Sequence, residues 1–437
     1  ALGIRKGRFK TDTPARIARQ SINFEAMERQ DTSEEPLCFS FFSKPVRLNF
    51  ENPVFITRTN ELTHRIIREN LHLSPYYGDR KLLSGAGPRY CPSIEDKVVK
   101  FSDRDSHQVF VEPEGDHCEE YYLGGFSTGL PFDAQIRMVQ SLRGLEEAEI
   151  VRPAYAIEYD YFFPDQLQPT LETKACEGLY FAGQINGTSG YEEAAGQGFV
   201  AGVNAVLKMD GKGPWIPKRT ESYIGVMVDD LVTKGVDEPY RLLTSRAEYR
   251  LILRNDNAHL RLTKYGHSFG LIDADFYQKV ERLRETIETE LGRLSSLTLK
   301  PSELLNAILL SKGTPPIQNA VKMIDLLRRH QVDYLDLKTF DPDPIPDPEV
   351  IEQIRIESQY HSYIERALKE IRKMEELEDF AIPHTLRYGD VPNMATEAKQ
   401  KMERIKPSSI GHAMRIPGIN PTDIANLIFY IRSGHKS

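Results

Sequence analysis

The sequence predicts an α/β region followed by an all-α region, and three observations support this. Short apolar stretches with strand character recur in the first half of the chain, for example at 53–57 and 108–112. A glycine-rich turn between an apolar run and a helical run follows at 178–198. Beyond residue 217, apolar residues recur three or four apart, as at Phe276, Val280, Leu283, Ile287 and Leu291, which is the period of an amphipathic helix.

The glycine-rich turn is the most informative segment. Its apolar run, 179–182, predicts a buried strand that ends at Gly183, and a helix is expected to begin near Tyr191. A strand, a turn and a helix start bring free backbone N–H groups and the positive end of a helix dipole to one point. The small residues Ala182, Gly183, Gly187 and Gly190 would let the backbone approach a ligand closely. We therefore expect an anionic or carbonyl-rich ligand here, commonly a nucleotide cofactor.

Composition bounds the possible functions. The 437 residues predict two to four domains at roughly 150 residues each. The net charge of −8 argues against a generally basic nucleic-acid binder, so any RNA contact would need a local basic patch. No window approaches the roughly 20 apolar residues of a membrane span. The four cysteines form no C-x-x-C pair, so we predict reduced thiols and no metal site.

Two breaks divide the chain. The stretch 211–217 has the composition of a linker, and 340–348 holds four prolines in nine residues and must be extended. After the second break we expect a long charged helical segment at 349–380 and a compact helical bundle formed by 409–416 and 421–431. The predicted divisions are 1–118, 119–210, the linker 211–217, 218–348 and 349–437.

Three long strings in the chain resemble one family. They are AGQINGTSGYEEAAGQG at 182–198, GPRYCPSIEDK at 87–97 and EPYRLLTSRAEYRLILRNDNAHLRLT at 238–263. Together they resemble the MnmG/GidA family of FAD-dependent tRNA uridine-modifying proteins. The resemblance extends from GRFKTDTPARI near the start to SIGHAMRIPGINPTDIANLI near the end.

For the fold, the resemblance implies a two-dinucleotide-type FAD domain. Its second half would occupy 119–210 as part of a parallel sheet, and 1–118 would be an inserted α+β nicotinamide-binding domain. The family's first fingerprint, G-x-G-x-x-G after a strand, does not occur here. We therefore expect an incomplete FAD domain that lacks its N-terminal part and binds FAD weakly or not at all.

The resemblance assigns the glycine-rich turn to FAD. The residues concerned are Gly183, Gln184, Asn186, Gly187, Gly190, Tyr191, Glu192 and Glu193. Gln184 stands where related flavoproteins carry an acidic residue, and its amide can both donate and accept a hydrogen bond. The alternative for Glu192 and Glu193 is that they only cap the helix, where a carboxylate is favoured by the dipole.

Cys91 is the candidate catalytic residue. Its thiol is flanked by Arg89 and Lys97, and Pro92 could begin a helix there, a setting that stabilises a thiolate. Such a thiol could act as a nucleophile or as a proton donor. The resemblance implicates this cysteine in catalysis and its basic neighbours in nicotinamide binding. The alternative is a buried structural thiol.

Two basic groups are candidates for tRNA binding. Arg246, Arg250 and Arg254 fall four apart and would share one face of a helix. Arg241, Tyr240 and Tyr249 lie nearby in sequence, so arginines could bind phosphate and tyrosines could stack on bases. The alternative is that Glu248 and Asp256 pair with these arginines. The second group, near the C-terminal bundle, includes Lys406 and Arg415.

The resemblance also implies an activity. FAD and NADH would serve an enzyme that adds a (carboxymethyl)aminomethyl group to C5 of the wobble uridine of tRNA. The GTPase MnmE would be its partner, and methylenetetrahydrofolate would be the one-carbon source. The enzyme would be a homodimer in the cytoplasm, or in the mitochondrion if the source is a eukaryote. One alternative is a folate- and FAD-dependent tRNA uridine methyltransferase, against which the long helical C-terminal region counts. The other is a non-catalytic module that binds tRNA and the partner.

Overall fold

The computed structural model describes residues 2–433 except 32–35, 37, 39, 42, 47–52, 79–81, 84, 90–91, 116 and 379. The chain divides into two compact units. The first, called the mixed unit, comprises Ala1–Ala201 and Gly235–Arg241. The second, called the helical unit, comprises Gly202–Lys234 and Leu242–Ser437. The predicted order, α/β followed by all-α, is confirmed.

The described strands of the mixed unit form two antiparallel sheets. One pairs β1 with β8, and the other has the order β3-β4-β5-β6-β2-β7. The strands are β1 (Lys6–Thr13), β2 (Arg16–Ala18), β3 (Glu28–Gln30), β4 (Val54–Arg58), β5 (Gln108–Pro113), β6 (Glu120–Gly124), β7 (Ile150–Arg152) and β8 (Tyr155–Phe162). The strands predicted at 53–57 and 108–112 are therefore confirmed.

The expectation of parallel pairing within 119–210 is not met by the described strands. β6, β7 and β8 each pair antiparallel with a neighbour. The connection from β5 to β6 spans only 114–119, whereas a parallel pair needs a crossover of roughly a dozen residues or more. A short connection can only reverse the chain direction, so these strands form an antiparallel ladder.

Four helices begin among the described residues of the mixed unit: α1 (Glu61–Asn70), α2 (Ile94–Lys100), α3 (Phe132–Gln140) and α4 (Tyr191–Met209). Asn60 caps α1, since its side chain accepts a hydrogen bond from the Thr63 N–H. Ile67 of α1 and Met138 of α3 pack with Val109 and Leu123 of the six-stranded sheet in one apolar core. This core holds α2, and with it the predicted nicotinamide region, against the sheet.

The helical unit contains a short antiparallel ladder and eleven described helices. The strands are β9 (Thr298–Leu299) and β10 (Val321–Lys322). The helices are α5 (Tyr223–Asp229), α6 (Ala258–Ser268), α7 (Ala274–Ser296), α8 (Glu303–Ser311), α9 (Met323–Leu327), α10 (Tyr334–Leu337), α11 (Pro348–Gln359), α12 (His361–Glu378), α13 (Thr396–Ile405), α14 (Ile410–Met414) and α15 (Pro421–Arg432).

Three apolar clusters of described residues support these helices, the smallest of them formed by Val226 of α5 with Ala247 and Leu253. Leu294 of α7 and Ile354 of α11 belong to a second cluster, and Met402 of α13 and Leu427 of α15 belong to a third. The amphipathic period predicted α7 correctly. The segment expected at 349–380 breaks at Tyr360, whose backbone leaves helical values at φ −102° and ψ 12°. Within the described part of the chain, no helix combines the length and apolar character needed to cross a membrane.

Candidate cofactor site and basic surfaces

The glycine-rich turn folds into a compact loop at the start of α4. Gly183–Asn186 forms one 3₁₀ turn, Gly187 adopts a left-handed φ of +80°, and α4 begins at Tyr191 as predicted. The predicted buried strand at 179–182 is wrong. Those residues are only half-buried, and Tyr180 makes a single isolated bridge, to Glu172. No described strand pairs with this run along its length, and without a ladder an apolar run does not form a strand.

A buried glutamine from α4 determines the shape of the loop. Gln197 Oε1 accepts hydrogen bonds from the Gly183 N–H at 3.1 Å and from Asn186 Nδ2 at 2.9 Å. Gln197 Nε2 donates to Thr188 Oγ1 at 3.0 Å. Sequence reasoning missed this residue, although a glutamine between Gly196 and Gly198 inside a helix was a usable signal. One side chain thus satisfies polar groups of three loop residues.

The loop glycines serve packing within the protein, which corrects the expectation that they leave room for a ligand. A Cβ at Gly187 would lie 2.7 Å from Val236 Cγ2, and a Cβ at Gly190 would collide with the Glu193 carboxylate. At Gly183, where φ is +85°, the nearest atom to a Cβ would be Ala194 Cβ at 3.3 Å. The missing side chains therefore face the chain itself.

Other groups of the loop remain suited to a cofactor. Gly190, just before α4, has no side chain to cap the helix, and Tyr191 is 94% exposed. The first-turn N–H groups can therefore donate to an acceptor from outside the chain. Asn186 Oδ1 is buried and has no hydrogen-bond partner among the described residues. Gln184 is exposed and bonds to the hydroxyl of Tyr159 on β8. A flat ring bearing both carbonyl oxygens and N–H groups matches these donors and acceptors.

Glu193 has a role that was not predicted. Its carboxylate is 3% exposed, and Oε1 accepts a hydrogen bond from Arg241 Nε at 3.1 Å. Arg241, expected to bind tRNA, thus also binds the loop, and its side chain is 44% exposed. Glu192 is exposed at the helix start, as either of its two predicted roles requires.

The segment that carries Arg241 also fixes the loop through its backbone. The Tyr240 N–H donates to the Gly187 carbonyl at 2.8 Å, and the Ser189 N–H donates to the Tyr240 carbonyl at 3.2 Å. Tyr240 is only 3% exposed. Its predicted stacking on an RNA base is therefore wrong, because the ring is inside the mixed unit.

The predicted nicotinamide residues lie around α2. Cys91 is outside the described residues. Arg89 is 69% exposed, and its Nη1 lies 3.9 Å from Glu238 Oε1. Lys97 Nζ donates to the Gly125 carbonyl at 2.7 Å. The helix begins at Ile94, two residues after Pro92, because the Ser93 side chain caps it by accepting from the Asp96 N–H at 3.1 Å.

A buried acidic cluster, formed by Asp12, Glu95 and Asp96, lies beside this helix and was not predicted. Burial raises the pKa of Glu95 to about 7 and that of Asp12 to about 6. Glu95 Oε1 accepts from the Gly129 N–H at 3.1 Å, while its Oε2 has no partner among the described residues. The sequence signal was the pair Glu95-Asp96 between Cys91 and Lys97.

The three carboxyl groups have different surroundings. The Tyr76 hydroxyl donates to Asp12 Oδ2 at 3.3 Å, and the Tyr77 hydroxyl donates to Asp96 Oδ1 at 2.6 Å. Although burial opposes charge on Asp96, hydrogen bonds from Tyr77 and Lys100 hold its pKa below the usual value. The cluster can therefore hold a proton on Glu95 near neutral pH while Asp96 stays ionised.

The three arginines predicted on one helical face do not lie on a helix. Arg246 ends a 3₁₀ turn, residues 247–257 form turns, and α6 begins only at Ala258. In these turns, backbone carbonyls that would accept hydrogen bonds from backbone N–H groups in a helix accept them from side chains instead. Arg254 Nη1 donates to the Leu251 carbonyl at 2.7 Å, and Asn257 Nδ2 donates to the Ile252 carbonyl at 3.1 Å.

The predicted tRNA residues of the helical unit also differ in accessibility. Arg254 is 14% exposed and pairs with Asp256 at 3.1 Å and Glu357 at 3.5 Å. The open alternative, pairing with Asp256, is thus confirmed for this residue. Arg250 is exposed, and Arg246 is one-third exposed with Nη1 3.9 Å from Asp230 Oδ2.

The C-terminal pair divides in the same way. Arg415 is 15% exposed and pairs with Asp229 at 2.8 Å and with Glu378. Its side chain therefore ties α14 to α5 and α12. Lys406 is exposed at the end of α13, in a left-handed conformation with φ +51°. Arg250 and Lys406 are the members of the predicted set that remain fully available to a polyanion.

Arg219 is a further buried arginine that the sequence did not reveal. It is 10% exposed and pairs with Asp229 at 3.1 Å, Asp230 at 2.8 Å and Glu248 at 2.7 Å. Asp230 begins a π-helical turn, Asp230–Lys234, that continues α5. The sequence predicted that Glu248 could pair with the arginines of the basic group; in the structure it pairs with Arg219.

The mixed unit, with its glycine-rich loop at the start of α4, and the helical unit place the chain in the class of proteins with a mixed α/β region followed by a helical C-terminal region. Three family models match the chain: Glucose inhibited division protein A at residues 1–213, tRNA modifying enzyme MnmG/GidA C-terminal helical domain at 274–368, and the C-terminal helical bundle of the same enzyme at 370–437. The chain therefore belongs to the MnmG/GidA family of tRNA-modifying enzymes.

Curated relatives and solved structures agree with this assignment. The chain is 48% identical to the tRNA uridine 5-carboxymethylaminomethyl modification enzyme MnmG of Enterococcus faecalis, covering 99% of this chain and 69% of the relative. It is 49% identical to the enzyme of the same name from Latilactobacillus sakei, covering 98% of this chain and 68% of the relative. Aquifex aeolicus GidA in its form II crystal superposes with a TM-score of 0.85 at 42% identity, covering 99% of this chain and 68% of that chain.

Proposed function

We propose that this protein modifies C5 of the wobble uridine of tRNA with a (carboxymethyl)aminomethyl group, using FAD and NADH. The observation that carries the proposal is the loop 183–193. It contains the exposed start of α4 at Tyr191, the exposed Gln184, and the buried Asn186 Oδ1, which has no hydrogen-bond partner among the described residues. The name of the relatives, tRNA uridine 5-carboxymethylaminomethyl modification enzyme, supports the same substrate and product.

In this proposal the loop holds the flavin ring through its backbone. The first-turn N–H groups at Tyr191 and Glu192 would donate to acceptor atoms of the ring, and Asn186 and Gln184 would complete the polar contacts. Arg89 and Lys97, with the inserted region 1–118, bind the reduced nicotinamide cofactor. The bound flavin supplies electron transfer for a one-carbon unit derived from methylenetetrahydrofolate.

Cys91 and Glu95 carry the protons. The Cys91 thiol acts on the pyrimidine as a nucleophile or a proton donor. Glu95, in the first turn of the helix that Ser93 caps, keeps a proton on its carboxyl group near neutral pH. A neutral carboxyl group can return a proton to a thiolate; the negative charge then moves to Glu95, whose Oε1 accepts a hydrogen bond from the Gly129 N–H.

The tRNA contact in this proposal is local. Arg250 and Lys406, with the accessible part of Arg241 and Arg246, bind phosphates on a protein whose net charge is −8. The GTPase MnmE binds the C-terminal division, 349–437, and the enzyme acts as a homodimer. Residues 119–210 form the second half of the FAD domain, and 218–348 form a helical domain that precedes the C-terminal division.

Flavin absorbance and tRNA binding of the purified protein test the proposal together. We expect flavin to copurify or to bind on addition, and labelled tRNA to shift on a gel. Mutation of Asn186 to Leu should reduce flavin binding while tRNA still shifts. A protein that takes up no flavin at any concentration but binds tRNA would instead be a non-catalytic binding module.

A further inference from the structure

The helical unit contains a cleft that none of the roles above uses. Its volume is about 220 Å³, and it lies between α7, the end of α9, the end of α11 and the start of α12. Among the residues that line it are Gly292, Ile324, Arg328, Glu357, Ser358 and His361. They combine a positive group, a carboxylate, a hydroxyl and an apolar wall within one small space.

Ser358 is the first sign of a ligand. Its side chain is 2% exposed, lines the cleft, and its Oγ has no hydrogen-bond partner among the described residues. A buried hydroxyl that lacks a partner destabilises a fold, so such groups are rare without a compensating role. A polar ligand in the cleft would supply the missing hydrogen bond.

Gly292 is an independent sign. It lies inside the 23-residue helix α7, where glycine is less favourable than alanine. A Cβ at this position would meet no heavy atom of the neighbouring structure within 4 Å, so packing does not require a glycine. Its φ is not left-handed either. The position leaves open space on the side of the cleft.

The charges around the cleft indicate what fits. Arg328 is 40% exposed and pairs with Asp325 at 2.8 Å, and His361 is 45% exposed with Nε2 3.9 Å from Glu365 Oε2. The guanidinium has further N–H groups, and it and the imidazole can donate to a phosphate at the rim. Glu357 is 32% exposed and is held by Arg254 at 3.5 Å. A carboxylate accepts from the exocyclic amino group of a base such as cytosine, and Ile324 offers an apolar surface to its ring.

We propose that this cleft binds one unpaired nucleotide whose base carries an exocyclic amino group. Glu357 and Ser358 contact the base, and Arg328 and His361 contact the phosphate. The inference rests on the proposed function in one respect, that tRNA supplies the nucleotide. It adds a base-reading contact to the phosphate contacts proposed for Arg250 and Lys406.

Equilibrium dialysis of the purified protein against CMP and UMP tests the chemistry. We expect CMP to bind roughly tenfold more tightly than UMP, because only cytosine offers an amino group to Glu357. Glu357→Gln should remove most of this preference, since an amide accepts less strongly. Equal affinity for CMP and UMP in the natural protein would overturn the proposal.

Two glycine variants separate a binding role from a structural one. Gly292→Leu fills the cleft and should weaken CMP binding at least tenfold, while its thermal midpoint stays equal or rises because leucine favours a helix. The matched control is Gly202→Leu, also inside a helix with open space around its Cα, which should leave CMP binding unchanged. Unaltered CMP binding by Gly292→Leu would contradict the proposal.

Binding of tRNA by the same variants identifies the source of the nucleotide. Gly292→Leu should weaken tRNA binding several-fold, and Gly202→Leu should not. If CMP binding falls and tRNA affinity is unchanged, the occupant is a free nucleotide and the tRNA source is refuted. If the natural protein binds CMP selectively but no tRNA at all, the proposed function fails while the base-binding chemistry of the cleft stands.

Discussion

Arg241 Nε lies 3.1 Å from Glu193 Oε1, which joins the string that begins at Glu238 to the first turn of α4. Glu193 is 3% exposed, so its carboxylate depends on this partner for compensation. The two residues are 48 positions apart in sequence. This ion pair connects a predicted tRNA-binding residue to the predicted flavin loop.

Arg241→Ala should therefore release flavin. Removal of the guanidinium takes a charged partner away from a buried carboxylate, which costs about 2 kcal/mol. The loop can avoid this cost by changing shape. We expect flavin affinity to fall at least tenfold, measured by absorbance during titration. Arg250→Ala is the control, because Arg250 is exposed and should keep flavin content normal. Normal flavin binding by Arg241→Ala would show that the ion pair does not support the loop.

Cys91→Ser should abolish tRNA modification and leave flavin content unchanged. A serine hydroxyl has nearly the shape of the thiol but neither its acidity nor its nucleophilicity. The product is measured by nucleoside analysis of modified tRNA. Cys176→Ser is the matched control, and we expect it to keep activity, because Cys176 is a free thiol outside the region of α2. Full activity of Cys91→Ser would remove this thiol from the mechanism.

Arg250 and Arg254 should give different results although they are four residues apart. Arg250→Ala should lower the dependence of tRNA affinity on salt by roughly 0.7–0.9 in log–log slope, as the loss of one phosphate contact predicts. The measurement is a filter-binding titration at several salt concentrations. An unchanged slope would mean that tRNA does not contact Arg250.

Arg254→Ala should instead destabilise the helical unit. Arg254 pairs with Asp256 and Glu357 and donates to Gln353, so its removal leaves partly buried acceptors unpaired. We expect a loss of about 2 kcal/mol in the free energy of unfolding, measured by urea denaturation. Arg250→Ala should unfold at the same urea concentration as the natural protein. A stable Arg254→Ala protein with reduced tRNA affinity would restore Arg254 to the RNA surface.

Glu95 should make stability depend on pH. Burial raises its pKa to about 7 from an ordinary value of 4.5, so the folded state binds the proton more tightly than the unfolded state. Its contribution to stability is therefore fully present below pH 4.5 and is lost as the pH rises through about 7. The charged groups around it are Asp12, which has its own raised pKa, and Asp96.

Glu95→Gln should remove this pH dependence. The amide cannot ionise, so we expect the variant to be more stable than the natural protein at pH 8 by about 3 kcal/mol at most, and similar at pH 5. Urea denaturation at the two pH values measures the difference. Glu112→Gln is a control on a neighbouring strand, with a smaller expected effect because Glu112 is less buried. Equal pH dependence of Glu95→Gln and the natural protein would refute the raised pKa.

Elements whose signals are local were predictable. The helices α4 and α7 and the strands β4 and β5 follow from apolar patterns and a glycine-rich turn close to them in sequence. The run 179–182 shows the limit of this reasoning. It has the composition of a strand, but strand formation requires a partner, and only Tyr180 has a single bridge.

The candidate site was predictable as a segment but not as a set of contacts. The glycine-rich loop and the helix start at Tyr191 lie where the sequence indicated. The importance of Gln197 was missed, because its three loop partners become neighbours only when the 3₁₀ turn folds back onto α4. The spacing of Arg246, Arg250 and Arg254 predicted a helix. The structure has turns there instead, and the side chains of Arg254 and Asn257 donate hydrogen bonds to backbone carbonyls of those turns.

The sequence by itself determined the family, the order of an α/β region before a helical one, and the loop most suited to a cofactor, because these depend on residues close together in the chain. Only the tertiary structure decided which charges are available. Arg254 and Arg415 bind carboxylates inside the helical unit, whereas Arg250 and Lys406 are exposed. An arginine has the same chemistry in both settings, and its free energy of interaction depends on partners and burial that distant parts of the chain provide.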